Sequence, residues 1–236
     1  MTNIGSLFDR IAGRYDFLNH FLSLNIDRRW RRKAVAALHS SASQQPETPV
    51  SVLDVAIGTG DLALEIIRQH KADRVVGLDL SEQMMRIGQA KVDKAGLNER
   101  ITFCQGSAMD MPFGDNSFDA LTCAYGVRNF ADLDAGLREM YRVLRPGAQL
   151  MILEFSNPTN PLFARIYDLY FTHVLPRIGR LVSGDPTAYS YLNASVKAFV
   201  DVQELCRRLK QVGFQHVQFR SLTHGITTVY TASKLV

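Results

Sequence analysis

The sequence predicts an α/β domain built on a mostly parallel, seven-stranded sheet with helices on both faces, and three observations lead there. Short, apolar, β-branched runs alternate with helical segments from about residue 50 onward. The first of these runs closes on a glycine turn, Gly58-Thr59-Gly60, that opens a helix. The chain then ends in two strand-like runs around His224-Gly225, which read as a hairpin completing the sheet. Near-continuous apolar strands imply burial on both faces, which is the habit of parallel sheets.

The elements follow in order. Leu7, Ile11, Tyr15, Leu18, Phe21 and Leu22, then Trp30, Ala34 and Leu38, recur every three or four positions, so residues 1–40 form a helical N-terminal cap. A polar, Ser-rich stretch with two prolines, 41–49, is a linker into the main domain at 50–236. Strands are expected at Ser51–Ile57, Arg74–Leu80, Ile101–Gln105, Phe118–Ala124 and Ala148–Phe155, with helices at about 60–70, 81–95 and 132–144. Ser81 is placed to cap the second helix, with Glu82 in its first turn, and Pro146-Gly147 is expected to stop the third before the fifth strand. Residues 158–195, rich in Phe, Tyr, Leu and Ile, suit a helical insertion that acts as an apolar lid over the strand ends, or an ordinary core helix. Asp201-x-x-Glu204 resembles a capping box for a helix ending at Gly213, and the hairpin strands are His216–Leu222 and Ile226–Ser233.

With 236 residues, 46% hydrophobic and 21% charged, the chain can bury a sizeable core. Cys104, Cys123 and Cys206 form no Cys-x-x-Cys pair, no export signal opens the chain, and no run approaches a spanning length, so a cytoplasmic protein with at most peripheral membrane contact is expected. Seven basic and three acidic residues fall within 1–40, a surplus equal to the whole chain's +4. That patch beside Trp30 could face anionic lipid, nucleic acid or simply water.

The strand Ser51-Val-Leu-Asp54-Val-Ala-Ile and its turn allow close approach of backbone to a ligand, but the spelling Gly-x-Gly-x-x-Ala is shared with dinucleotide sites. Asp79, about 20 residues on, can accept ribose hydroxyls of NAD or S-adenosylmethionine alike. Asp54, Ser107-Ala108-Met-Asp110-Met-Pro112-Phe113, Asp115-Asn-Ser-Phe118-Asp119 and Leu144-Arg-Pro-Gly147 decide between them, because together they resemble the Rossmann-like class I methyltransferases over about residues 50–156. The resemblance implies S-adenosyl-L-methionine as cofactor, with Gly58, Thr59 and Gly60 under the methionine and ribose, Asp79 on the ribose hydroxyls, and Ser107 and Ala108 along the adenine. No metal is expected.

Phe8-Asp9-x-Ile-Ala-x-x-Tyr15-Asp16-x-Leu-Asn19, Tyr125-Gly126-Val-Arg128-Asn129-Phe130, Leu153-Glu154-Phe155-Ser156 and His173-Val-Leu-Pro176-Arg-Ile-Gly179 carry a narrower likeness. They resemble the C-methyltransferases of menaquinone and ubiquinone biosynthesis. That likeness implies methylation of a ring carbon of a polyprenylated demethylmenaquinol, or of the benzoquinol precursor of ubiquinone. Attack through carbon is helped by phenolate character, hence by a nearby cation. Arg128 is the candidate for oxyanion stabilisation and Asn129 for positioning; alternatively Arg128 pairs with an acid such as Asp132. Tyr15, Asp16 and His173 are the candidate bases. Ala124 stands where relatives can carry serine. The lid could sequester the isoprenoid tail and the basic cap could meet an anionic membrane, with a homodimer left open.

An NAD-dependent oxidoreductase would share Gly58, Gly60 and Asp79 but lacks a Ser-Tyr-Lys or catalytic histidine set. A nucleic-acid methyltransferase would need an Asn-Pro-Pro-Tyr type loop after the fourth strand, where Ala-Tyr-Gly-Val-Arg-Asn stands instead.

Overall fold

The computed structural model describes residues 9, 12, 23, 25–38, 50–158, 165, 169, 191 and 194–235. Its elements are α1 (Ile26–Ala36), β1 (Ser51–Val55), α2 (Asp61–Arg68), β2 (Arg74–Asp79), α3 (Glu82–Ala95), β3 (Ile101–Gln105), β4 (Phe118–Ala124), a 3₁₀ turn (Val127–Asn129), α4 (Leu133–Val143), β5 (Leu144–Phe155), α5 (Val202–Val212), β6 (Gln215–Leu222) and β7 (Thr227–Ser233). The seven strands lie in the order β3-β2-β1-β4-β5-β7-β6. Strands β1 to β5 pair in parallel, and β7 runs antiparallel to both β5 and β6. The order reverses between β1 and β4, and the crevice beyond the carboxyl ends of such strands is where open α/β sheets bind ligands.

Both faces of the sheet are covered, as the apolar strands require. Leu53, Val55, Leu121, Cys123 and Ile152 pack with Leu137, Met140, Leu205 and Leu209 of α4 and α5. Val52, Val75, Ala120, Met151 and Leu153 pack with Ile66 of α2, Val92 of α3 and Trp30, Ala34 and Val35 of α1. The one described helix of the N-terminal cap is therefore part of the core. Trp30 meets Phe155 edge-on at 6.5 Å and donates from Nε1 to Thr223 Oγ1 at 2.8 Å.

Local chemistry sets the helix ends. Ser81 Oγ accepts from the Met84 amide at 3.2 Å, Asp132 Oδ1 from Ala135 at 2.9 Å and Asp201 Oδ1 from Glu204 at 2.8 Å. Gly96 and Gly213 close α3 and α5 in the left-handed region. Contrary to the expectation from sequence, Pro146-Gly147 does not separate α4 from β5: the helix ends at Val143 and β5 starts at Leu144. The register shifts there, from Phe118↔Leu144 to Ala120↔Gln149, so the pair forms a bulge inside the strand, with Gly147 at φ 80°. The expected linker, and the insertion at 158–195 apart from residues 158, 165, 169, 191, 194 and 195, lie outside the described residues.

In the centre of β2, Gly77 has no room for a side chain. A Cβ there would sit 2.1 Å from Ile57 Cδ1. Ile57 leads into the glycine turn, and its amide is anchored to Leu78 O at 3.1 Å. Gly77→Ala is expected to destabilise the fold by about 1–3 kcal/mol, the usual cost of overpacking. Urea unfolding checks this; a midpoint equal to that of the parent protein would contradict it.

Candidate active site

The glycine turn begins at the end of β1 with a left-handed backbone. Ala56 has φ 56° and Gly58 φ 55°, and Gly60, at φ 80°, caps α2. A left-handed alanine is uncommon and must be held from outside. Gly126 helps, since a Cβ there would fall 2.6 Å from that of Ala56. The turn is bound to β2 by a carboxylate: Asp79 Oδ2 accepts from the Gly58 amide at 2.8 Å, and Oδ1 accepts from the Ser81 amide at 2.9 Å. Burial pushes the Asp79 carboxyl up from its ordinary value, while the Ser81 and Gly58 amides pull the other way.

Around this pair opens a cleft of about 730 Å³, counting the open space above it. Leu80 and Met84 form one wall, Gly106, Ala108 and Met109 a second, and Ala124, Tyr125, Gly126, Asn129 and Phe130 a third. Of the residues predicted from sequence, Gly58, Asp79, Ala108 and Asn129 line the cleft. Gly60 and Thr59 support it from behind; Thr59 is buried, and its hydroxyl accepts from Lys91 Nζ at 3.0 Å. Ser107 shapes the adjoining turn, with Oγ accepting from the Met109 amide at 3.1 Å. Tyr15, Asp16 and His173 lie outside the described residues.

Arg128 is differently placed. Its side chain is 4% exposed and is paired with Glu154, which is fully buried, at 2.8 Å. Its acid partner is therefore not Asp132, which is engaged as the cap of α4. Arg128 lines a neighbouring groove of about 900 Å³, with Tyr191, Ser195 and Phe199, and Phe130 is common to both spaces. Glu154 stands in the Leu153-Glu154-Phe155-Ser156 run, where no role was expected of it from sequence. A charge inside the apolar run Leu150–Phe155 was the signal, since such a charge needs a partner.

The N-terminal part also reaches the cleft. Ser81, in the cleft wall, donates from Oγ to Asp9 Oδ1 at 2.5 Å. Arg31 of α1 pairs with Asp27 at 2.6 Å and with Asp61, the residue after the glycine turn, at 3.0 Å.

The residues fit an adenosylmethionine-type ligand on three counts. A Cβ on Gly58 would meet nothing within 4 Å, so the backbone there faces open space. Leu80, half exposed, offers an apolar surface beside Asp79 to a flat base. Beneath the turn, Asp54 Oδ1 accepts from Thr122 Oγ1 at 2.7 Å while Oδ2 is buried with no partner among the described residues. Such an orphaned oxygen suits a cation or a bound water.

With its glycine turn, the Asp79 carboxylate bound to that turn and this sheet order, the molecule is a class I S-adenosylmethionine-dependent methyltransferase. The profile of the ubiE/COQ5 methyltransferase family matches residues 1–234, and the chain belongs to that family. It is 46% identical over 231 residues to the demethylmenaquinone methyltransferase of Bacteroides fragilis, covering 98% of this chain and 92% of that protein. It is also 46% identical over 228 residues to the ubiquinone/menaquinone biosynthesis C-methyltransferase UbiE of Syntrophotalea carbinolica, covering 97% of this chain and 92% of that protein. Among solved structures, an SAM-dependent methyltransferase of Thermotoga maritima shares the fold, with a TM-score of 0.66 at 18% identity over 97% of this chain and 98% of that one.

Asp54 gives the site a pH signature. Burial raises its carboxyl to about 7; the Thr122 hydroxyl opposes this and Asp79 adds to it. The folded, cofactor-free protein therefore holds a proton that the unfolded chain releases near pH 4. Asp54's contribution to stability is full below about pH 4 and is lost as pH rises through about 7. Asp54→Asn should flatten this dependence, so its urea midpoint relative to the parent should improve steadily from pH 5 to pH 8. A difference independent of pH would contradict the assignment.

Proposed function

We propose that the chain transfers the methyl group of S-adenosylmethionine to a ring carbon of a polyprenylated demethylmenaquinol, giving menaquinol and S-adenosylhomocysteine. The observation that carries this reading is the near full-length 46% identity to a protein of that name, in a chain whose Tyr125–Phe130 turn walls the cofactor cleft. The bound cofactor supplies an electrophilic methyl on sulfur. In the transfer a ring carbon forms the new C–C bond, the C–S bond breaks, and the ring loses a proton.

The chain's part is orientation and charge. Gly58 and Asp79 would hold the methionine and ribose portions, with Thr59 and Gly60 supporting them, and Ala108, with the turn shaped by Ser107, would flank the adenine. Asn129 is preorganised, accepting from the Tyr191 hydroxyl at 2.9 Å and donating to Tyr125 O at 3.4 Å. We assign Arg128 to the developing charge on the ring oxygen. In support, Nη1 and Nε are engaged, but Nη2 makes no hydrogen bond among the described residues. Tyr15, Asp16 and His173 are the proposed candidates for proton removal.

A benzoquinol acceptor is the second reading, favoured by relatives named for both pathways. Turnover of tritiated cofactor with demethylmenaquinol and with the benzoquinol, side by side, decides between them. The naphthoquinol is expected to be the better substrate by kcat/KM, and no product with either quinol would refute the function.

The isoprenoid tail places the substrate in a bilayer, and α1 supplies a surface that suits its anionic face. Arg28, Arg29, Arg32 and Lys33 are exposed on it, whereas Arg31 is engaged with Asp27 and Asp61. No described helix is long and apolar enough to cross a membrane. Replacing the four exposed cations by glutamine should weaken binding to anionic vesicles by a factor of ten or more, at about 1 kcal/mol per residue. Unchanged co-sedimentation would sink the membrane reading.

A further inference from the structure

We propose that Glu154 is a positioning residue for methyl transfer, acting through Arg128. The inference rests on the role given to Arg128 above. It begins from an anomaly in β5, where residues 150 to 153 are at most 1% exposed and the next residue is a carboxylate at 0%. A charge there is tolerated only when paired and hydrogen-bonded.

Glu154 holds Arg128 at two points. Oε1 accepts from Arg128 Nη1 at 2.8 Å and from the Phe155 amide at 2.8 Å, while Oε2 accepts from the Arg128 amide at 3.3 Å. The backbone of the 3₁₀ turn and the guanidinium are thus fixed to one carboxylate. Arg128 Nη1 also donates to Tyr125 O at 2.5 Å, Nε donates to Ser195 Oγ at 3.3 Å, and the guanidinium lies 5.3 Å from the centre of the Phe155 ring. These contacts leave the guanidinium no rotation, so Nη2, uncommitted among the described residues, has a fixed aim. They also hold the carbonyl of Tyr125, a residue at φ 58° in the wall of the cofactor cleft. A carboxylate serving only as counter-charge would not need the contact to the Arg128 amide. Glu154 sets the direction of the donor as well as the charge around it.

Glu154→Gln separates position from packing. Its oxygen can still accept from Arg128 Nη1, but its amide nitrogen would face the Arg128 N–H donor to donor. The variant is expected to bind S-adenosylhomocysteine within about twofold of the parent by calorimetry, to keep KM for the quinol, and to lose about a hundredfold in kcat, the scale of a 1 Å misplacement. Glu154→Gln made on top of Arg128→Lys should cost no further kcat, because the residue it positions is already gone. A lower melting temperature with unchanged kcat per folded enzyme would overturn the proposal, as would additive losses in the double variant. If Arg128→Lys itself leaves kcat unchanged, the reading of Arg128 fails and this inference falls with it; a loss in Arg128→Lys but none in Glu154→Gln overturns the inference alone. Should Glu154→Gln not fold, Glu154→Asp, which retracts the charge by one methylene, carries the same test, with lower kcat at unchanged adenosylhomocysteine binding as the supporting result and unchanged kcat as the refuting one.

Discussion

The cleft depends on one carboxylate, that of Asp79, bridging two backbone amides. In a parallel sheet the strands deliver their loops to the same edge, but nothing in the strand ladder fixes those loops to one another. Here Asp79 takes the Gly58 amide on one oxygen and the Ser81 amide on the other, so the loops after β1 and β2 become a single unit. Both amides stand near the start of a helix, α2 or α3, where donors lack intrahelical partners and negative charge is favoured. Burial makes the charge costly, and the two donors offset that cost. The neighbouring choices then follow: Gly77 makes room for Ile57, Gly126 makes room for Ala56, and the turn can stay left-handed.

The same edge carries two further buried acids, Asp54 near the end of β1 and Glu154 near the end of β5. They differ in compensation. Glu154 has a guanidinium beside it, whereas Asp54 has one hydroxyl and an oxygen with no partner among the described residues. Burial with a full counter-ion builds rigidity, and burial without one leaves a carboxyl poised near neutrality. The two places on this sheet edge thus differ in character. One is a potential beneath the cofactor turn that suits a cationic ligand, and the other is a fixed donor beside the Tyr125–Phe130 turn.

What the sequence made legible was local. Ser81 and Asp201 are short oxygen-bearing side chains, and both cap helices by reaching an amide three residues on. The strands came from runs of β-branched residues, and the loop from its glycines. What stayed hidden was tertiary. Pro146-Gly147 reads as a helix stop in any local window, yet β4 and β7 draw Leu144 onward into the sheet and turn the pair into a bulge. Asp132 looked like the nearest acid for Arg128, but capping claims it, and the true partner comes from the adjacent strand, 26 residues away. The hydroxyls of Thr59 and Ser107 accept from Lys91 and from the Met109 amide, and the first of these donors comes from a residue 32 positions away that no local window shows.

The N-terminal helix shows why so compact a cofactor module carries an added cap. Arg31 joins α1 to Asp61, and Lys91 joins Asp61 to Thr59, so the chain of contacts runs from the cap to the glycine turn. On the other side Trp30 packs edge-on against Phe155, and Phe155 lies 4.5 Å from Tyr125, centre to centre. Phe155 also lies under the Arg128 guanidinium, and its amide donates to Glu154 Oε1. One helix therefore touches the cofactor turn through charge and the Tyr125–Phe130 turn through aromatic packing. In largely buried pairs such as Arg31–Asp27 desolvation offsets much of the attraction, and the apolar contacts supply most of the holding. The pairs fix where α1 sits along the cleft, and that position ties α1 to the glycine turn through Asp61 and to the Tyr125–Phe130 turn through Phe155.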